Sequence, residues 1–358
     1  MGVGYRAVGW NRQKRLYDLT LIGGVGLYLG LFLVLSSAYS PELTAETMII
    51  RAFGSAAFVL LHVVLCVGPL ARRHTWALPL LYNRRHMGVT MFTLALVHGV
   101  FSLLQFHGFG TLDPLTSLFV SGGSYSGLSN LPFQPLGFTA LVILFLMAAT
   151  SHDFWLHNLS APVWKSLHMG VYAAYVLVVM HVLLGSLWDD SIGDTARIPV
   201  ALGLALVVGL HVSAARGERE ADRELAAGPE PVEVAHLDDL TDGRGIVRTI
   251  GGERVAIFRD GDRVFAISNV CQHQNGPLGE GRVRNGCVTC PWHGYEYRPE
   301  NGCSPPPFEE RIPTFRVELR GDRVLIDPRP VPAGTHNEPA RIEPSQRTDS
   351  PISEGGEA

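Results

Sequence analysis

The sequence predicts a chain of α + β class in two parts, a six-helix transmembrane bundle followed by a small all-β domain. Three observations carry that expectation. Up to about Ala215 the chain is a series of long apolar runs, each close to the roughly 20 residues that a bilayer requires. Beyond it, charged and turn residues dominate, set around short alternating runs. Within that second part, two cysteines and two histidines arrive as two short loops of one pattern, Cys271-Gln-His273 and Cys290-Pro-Trp-His293. At 358 residues there is room for two or three domains, and a positive mean hydropathy is unusual for a soluble protein. Net charge is -4, with a small positive excess through Ala215 and an acidic remainder, and nothing suggests nucleic acid.

A basic start, with Arg6, Arg12, Lys14 and Arg15, precedes the first apolar run, Leu19 to Ala38. Ala38-Tyr-Ser40 resembles a signal cleavage site. The run is nevertheless long enough to cross a bilayer at about 1.5 Å per residue, and signal cores are usually shorter, so a retained helix is expected. Further spans are expected at Met48 to Leu70, Met87 to Phe106, Phe133 to Thr150, Val163 to Leu187 and Ile198 to Ser213. The connection Ala71 to Arg85 holds Arg72, Arg73, Arg84 and Arg85, whereas Pro41 to Thr47, His107 to Pro132 and Trp188 to Asp194 hold no lysine or arginine. The positive-inside rule then places the amino terminus, the arginine-rich loop and everything beyond Ser213 in the cytoplasm of a multi-pass plasma-membrane protein. The expected boundaries are 1–213 for the bundle, 214–231 for a charged linker, 232–328 for the β domain and 329–358 for a disordered tail rich in Pro, Glu, Ser and Arg.

The β domain is expected from the runs Ile246 to Ile250, Val255 to Arg259, Val264 to Asn269, Val283 to Val288, Thr314 to Leu319 and Val324 to Ile326, separated by Gly-Gly, Asp-Gly-Asp and Arg-Gly-Asp turns. Its strand pairs would hold the two ligand loops at one tip. Two thiolates and two imidazoles suit a [2Fe-2S] cluster in which one iron takes both cysteines and the other both histidines. Zinc also accepts Cys2His2, and Cys287-Val-Thr-Cys290 is a CxxC, so a zinc site is the competing reading.

Around these ligands, Cys271-Gln-His273-Gln-Asn-Gly276-Pro277-Leu278-Gly279 and Cys290-Pro291-Trp292-His293-Gly294 resemble the Rieske ferredoxin and oxygenase family, over about Val232 to Asp327. The resemblance implies that Cys271 and Cys290 bind one iron and His273 and His293 the other. Rieske proteins of quinol-oxidising complexes carry an extra cysteine in each loop and a serine after the second His-Gly; here those positions are Gly276, Trp292 and Tyr295. Without that disulfide, and with fewer hydrogen bonds to sulfur, the potential is expected near the low end of the range, about -150 mV rather than about +300 mV.

Histidines inside spans are costly and usually have a reason to be there. His62, His86, His98, His168, His181 and His211 all fall in or at the ends of the expected helices. Gly68-Pro69-Leu70-Ala71-Arg72, Arg84-Arg85-His86-Met87-Gly88, Leu96-Val97-His98 and Trp164-Lys-Ser-Leu167-His168 resemble the ferric reductase-like transmembrane domain. That domain is found in ferric reductases, NADPH oxidases and the haem subunit of the periplasmic methionine sulfoxide reductase system. The resemblance covers roughly Leu19 to Ser213 and implies b-type haem, one or two, between the third and fifth helices. His98 and His181 lie at similar depth in the outer half, with His86 and His168 about 18 to 20 Å inward by helical rise. The outer pair is His98 with His181. His168 is left with His86, with Arg84 or with no partner, because Arg84 shares the face of His98 while His86 is about 120° away. His62, His211 and Cys66 are expected to be packed rather than ligating.

Together these features imply a membrane electron-transfer oxidoreductase. A cytoplasmic donor reduces the cluster, and electrons continue through intramembrane haem to an outer-face acceptor or a quinone. A haem-free, membrane-tethered ferredoxin is the alternative. A Rieske oxygenase would need a downstream mononuclear-iron domain, for which only about thirty polar residues remain, and no G-x-G-x-x-G unit follows the sixth span.

Overall fold

The computed structural model describes residues 12–120, 132–152, 154–155, 159, 161–188, 193–221, 223–225, 228, 230–273, 276–291, 294–306 and 308–343. The chain divides into two compact units, one ending at Ala214 and the other beginning at Ala215. The described helices are α1 (Arg12–Tyr39), α2 (Ala45–Arg73), α3 (Leu78–Tyr82), α4 (Arg84–His107), α5 (Pro114–Val120), α6 (Gln134–Thr150), α7 (Ala161–His168), α8 (Gly170–Trp188) and α9 (Gly193–Ala221).

Among the described residues, five stretches are long and apolar enough to cross a membrane: Lys14–Tyr39, Ala45–Arg73, Arg84–His107, Ser166–Gly185 and Arg197–Arg219. The fourth of the six expected spans is the shorter apolar helix α6, of 17 residues. Pro135 opens it and Ser151 caps it, which sets its length. Helix α2 is the centre of this unit. Thr44 caps it by accepting from Thr47 N (3.3 Å), Glu46 lies in its first turn, and Arg72 and Arg73 lie in its last, each complementing the helix dipole. Its residues Ala56, Ala57, Leu60, Leu61 and Val64 pack with Met87, Met91 and Leu94 of α4, Ala140 and Leu144 of α6, and Ala174, Tyr175 and Val179 of α8. The fifth expected span is interrupted at Met169, between α7 and α8, so the phase of an ideal helix does not carry from His168 to His181.

In the second unit the strands are β1 (Glu224–Leu225), β2 (Val232–His236), β3 (Gly245–Ile250), β4 (Glu253–Asp260), β5 (Arg263–Ser268), β6 (Arg282–Arg284), β7 (Cys287–Thr289), β8 (Glu296–Tyr297), β9 (Thr314–Phe315), β10 (Val317–Arg320), β11 (Arg323–Ile326) and β12 (Ala340–Arg341). The largest sheet runs β1-β3-β4-β5-β12 with β9 also on β5, and two three-stranded sheets run β10-β11-β2 and β6-β7-β8. The β4–β5 hairpin is buried on both faces. Val255, Ile257, Val264 and Ala266 face one core with Val234, Phe315, Val324 and Ile326. The alternate residues Ala256, Phe258, Phe265 and Ile267 face a second core that holds Cys271, Leu278, Val288, Cys290, Tyr297 and Ile312.

Two expectations for the ends of this unit differ from what is found. The segment 214–231, expected to be helical near the membrane and then flexible, is helical to Ala221, but beyond it β1 pairs in parallel with β3, Glu224 opposite Thr249. Nor is the chain disordered from 329. Thr314 and Val331 exchange backbone hydrogen bonds, Ala340 and Arg341 pair with Val264 and Arg263, and Ile342 is buried. Proline-rich extended chain loses little by lying along a sheet edge, so a composition without apolar period conceals a strap of this kind. Residues 344–358 lie outside the described residues.

Phe315, 1% exposed, anchors the first of these cores. Phe315→Ala is expected to destabilise the β unit by about 3–5 kcal/mol. The check is urea denaturation of the full chain followed by its visible absorbance, and an unchanged midpoint would contradict that packing role.

Candidate functional site

Each ligand loop in the β unit is closed by backbone hydrogen bonds. In the first, between β5 and β6, Cys271 N donates to Gly276 O (3.0 Å) and Leu278 N to Asn269 O (2.9 Å). Gly279 N donates to the buried Asn269 Oδ1 (2.7 Å), so Asn269 clamps the loop from its base. In the second, between β7 and β8, Cys290 N donates to Tyr295 O (2.7 Å) and Gly294 N to Cys290 O (3.0 Å). Cys271 and Cys290 are each 1% exposed and share one apolar core. The His273 ring stacks on Tyr295 with centroids 4.0 Å apart and planes 14° apart. His293 lies outside the described residues. Among those described, no three His, Cys, Asp or Glu side chains come together as a complete metal site.

Two buried thiols in a dry pocket beside a fixed imidazole fit the soft-donor side of a [2Fe-2S] cluster. The CxxC zinc alternative does not fit. Cys287 and Cys290 are three apart across a strand end and face opposite ways, Cys290 into the core with Val288 and Cys287 half-exposed on the other side. Burial, reinforced by Glu296, pushes the Cys287 thiol up to about 11.

One hydrogen bond bears on the expectation about potential. Tyr297 Oη stands 3.2 Å from Cys271 Sγ and accepts from Gln272 N at 3.1 Å. Burial first, and the charge of Cys271 second, push the Tyr297 hydroxyl far up, so it stays protonated and donates to the sulfur. Sulfur therefore has a side-chain donor that the comparison at Tyr295 alone missed. The signal was present four residues beyond His293, where a strand alternates Tyr295 and Tyr297 toward the ligand core. A hydrogen bond to a ligand sulfur raises the potential of a cluster held there, so this one would act against a value at the low end.

In the helical unit, His98 and His181 are brought together. Their ring centroids are 6.1 Å apart with planes at 84°. His98 Nδ1 donates to Ile50 O and His181 Nδ1 to Phe133 O, both at 2.9 Å, which leaves each Nε2 as the atom available to a metal. An iron between two imidazoles needs centroids on the order of 6 Å apart, from iron–nitrogen bonds of about 2 Å and the ring radii. The pair fits axial ligation of one haem.

The inner residues do not assemble in the same way. His86 Nδ1 meets Asp18 Oδ1 at 2.6 Å, which ties that nitrogen to α1 and, as at His98 and His181, leaves Nε2 as the other ring nitrogen. His168 stacks on Trp164 (3.9 Å), with Nδ1 3.0 Å from Trp164 O and Nε2 3.2 Å from Ser151 Oγ. Its charged neighbour is Arg84, as the helical phase allowed. His62 and His211 are hydrogen-bonded within the helices as expected, to Tyr175 (3.1 Å) and Tyr172 (3.2 Å). His107 is 5% exposed and bonds Ser117 Oγ (2.9 Å).

The comparisons divide at the same place. A family model for the ferric reductase like transmembrane component matches residues 53–179, and one for the Rieske [2Fe-2S] domain matches residues 230–316. The ferredoxin subunit of anthranilate 1,2-dioxygenase from Burkholderia cepacia is 40% identical over 57 residues, 16% of this chain and 53% of that protein. The chain thus spans about half the length of that relative. The ferredoxin component of the alkene monooxygenase system of Xanthobacter autotrophicus is 32% identical over 104 residues, 29% of this chain and 85% of that protein. On the helical side, the protein-methionine-sulfoxide reductase heme-binding subunit MsrQ of Azospira oryzae is 30% identical over 203 residues, 56% of this chain and 78% of that protein.

Tyr297→Phe removes the sulfur's donor and keeps the ring. It is expected to lower the cluster midpoint by up to about 65–130 mV, from a hydrogen bond to a charged group of about 1.5–3 kcal/mol and about 59 mV per tenfold for one electron. An EPR-monitored redox titration checks it, and an unshifted midpoint with an intact cluster signal would show that the hydroxyl does not act on the sulfur.

Proposed function

The chain belongs to the ferric reductase-like transmembrane family in its helical part and to the Rieske [2Fe-2S] family in its β part, and from that premise we propose a membrane electron-transfer oxidoreductase. The reading is that it moves electrons between a cytoplasmic [2Fe-2S] cluster and b-type haem within the bilayer. Bound in these sites, each cofactor accepts and returns one electron at a time. The observation that carries the reading is the facing pair His98 and His181, each tied at Nδ1 to a backbone carbonyl.

The residues do the positioning. Cys271, Cys290, His273 and His293 hold the cluster, with Asn269 and Tyr297 bracing the first loop. His98 and His181 hold the outer haem. An inner haem would rest on His168, with Arg84 as its charged neighbour and His86, tied at Nδ1 to Asp18, as the alternative residue beside it. With α6 counted as a span, the membrane unit has six crossings, and a length of about 25 Å at helical rise is near the hydrocarbon thickness. The arginine-rich connection puts the cluster domain on the cytoplasmic side of the plasma membrane. The donor is then a cytoplasmic reductant, and the acceptor an outer-face molecule or a quinone.

A combined optical and EPR redox titration of the purified full chain tests this. It is expected to show one or two b-type haems per cluster and a Rieske signal with g-values distinct from zinc-silent protein. A preparation whose pyridine haemochrome shows no haem while the cluster signal remains would establish the haem-free tethered ferredoxin instead.

His98→Ala and His181→Ala are each expected to abolish the same haem absorbance band and leave the cluster signal in place. Loss of different bands in the two variants would refute their pairing.

A further inference from the structure

His98 and His181 are held by one device used twice. Each acceptor carbonyl lies 48 residues before its histidine, Ile50 for His98 and Phe133 for His181. One helical turn beyond each carbonyl stands a glycine, Gly54 in α2 and Gly137 in α6. A Cβ built on Gly54 would stand 2.7 Å from His98 Nδ1, and one built on Gly137 would stand 2.6 Å from His181 Nδ1. The correspondence continues through the packing. Ala57 and Leu61 follow Gly54 at the same steps as Ala140 and Leu144 follow Gly137, and all four are buried. Met91 and Ala174, each seven residues before its histidine, are buried as well.

The reason for glycine follows from helix geometry. The carbonyl of residue i points along the helix toward residue i+4, whose side chain ordinarily screens it from any second donor. Gly137 N itself donates to Phe133 O at 3.2 Å, and only a bare Cα there leaves that oxygen open to an imidazole as well. A glycine inside a helix costs about 1 kcal/mol against alanine, so two of them at matched positions call for a local cause.

We propose that Gly54 and Gly137 are positioning residues for the haem ligands. By opening the carbonyls of Ile50 and Phe133, they fix the Nδ1-protonated tautomer of both imidazoles and hold the ring planes crossed at 84°. The inference rests on the haem reading of His98 and His181. Its signature is electronic. Crossed imidazole planes leave the two iron π orbitals nearly equal in energy, which gives ferric low-spin haem a strongly anisotropic EPR line with a large first g-value. Parallel planes separate the orbitals and give a rhombic spectrum.

The test compares full-length wild type with Gly54→Ala, Gly137→Ala and Gly88→Ala. Gly88 lies in α4, the helix that carries His98, and has nothing within 4 Å of a built Cβ, so it controls for adding a methyl group to a helix. The wild type is expected to show the large-g line. Gly54→Ala and Gly137→Ala should each lose it to a rhombic or high-spin signal and shift the haem midpoint, with the cluster EPR signal unchanged; Gly88→Ala should retain it. A rhombic wild-type line overturns the proposal, as do Gly54→Ala and Gly137→Ala lines and midpoints equal to wild type. Should either variant bind no haem, the wild-type line decides by itself. A wild type without haem absorbance sinks the underlying haem reading, which is a different outcome from haem present with the wrong line shape.

Discussion

A polar atom can serve as a metal ligand inside apolar surroundings only if the other polar atom of its side chain is already bonded, since an unbonded one would cost about 1–3 kcal/mol and leave the ring free to turn. That constraint governs both units. In the helices, Nδ1 of His98 and of His181 is spent on a carbonyl, so the orientation of each Nε2 follows from backbone that is itself locked in a helix. In the β unit, Cys271 has its amide on Gly276 O and its sulfur against Tyr297, while the Tyr297 oxygen is held in turn by Gln272 N. Neither site depends on a long, mobile side chain for its geometry.

The β4–β5 hairpin converts this local constraint into a property of the domain. One face completes the ordinary core and the other faces the ligand core, so a change in packing on the first is felt through a single layer of backbone by the second. The continuous apolar runs Val255 to Phe258 and Val264 to Ile267 are what a strand buried on both sides requires. The ligand loops are then short excursions from a rigid layer, closed by Asn269 on one side and by the Cys290 to Tyr295 pairing on the other.

Much of this was legible in residue order, for identifiable reasons. The strands with two apolar faces are legible within a residue or two, because their period leaves few alternatives, whereas the long spans are legible in number and centre with ends that differ by up to six residues. Short edge elements are not. β2, β8 and β12 carry too few residues to show a period, and β12 lies in a stretch whose composition reads as unstructured. The His98–His181 pair was found by depth, but the side chains that orient it were not, because Ile50 and Phe133 contribute only carbonyls, which every residue has. The readable trace was the glycine four places further on in both helices. Residue order shows the depth of His86 but not its neighbour Asp18, 68 residues away.

The strap formed by the chain after β11 has a bearing on how copies of this protein behave toward one another. Strand β5 would otherwise present an open row of amides and carbonyls, and β9 and β12 occupy that row end to end. Covering it removes the template on which a second molecule could add its own strand. A chain cut back to residue 328, where composition invites a boundary, would keep every ligand and yet bare part of that margin, trading a tidy domain for a self-associating one.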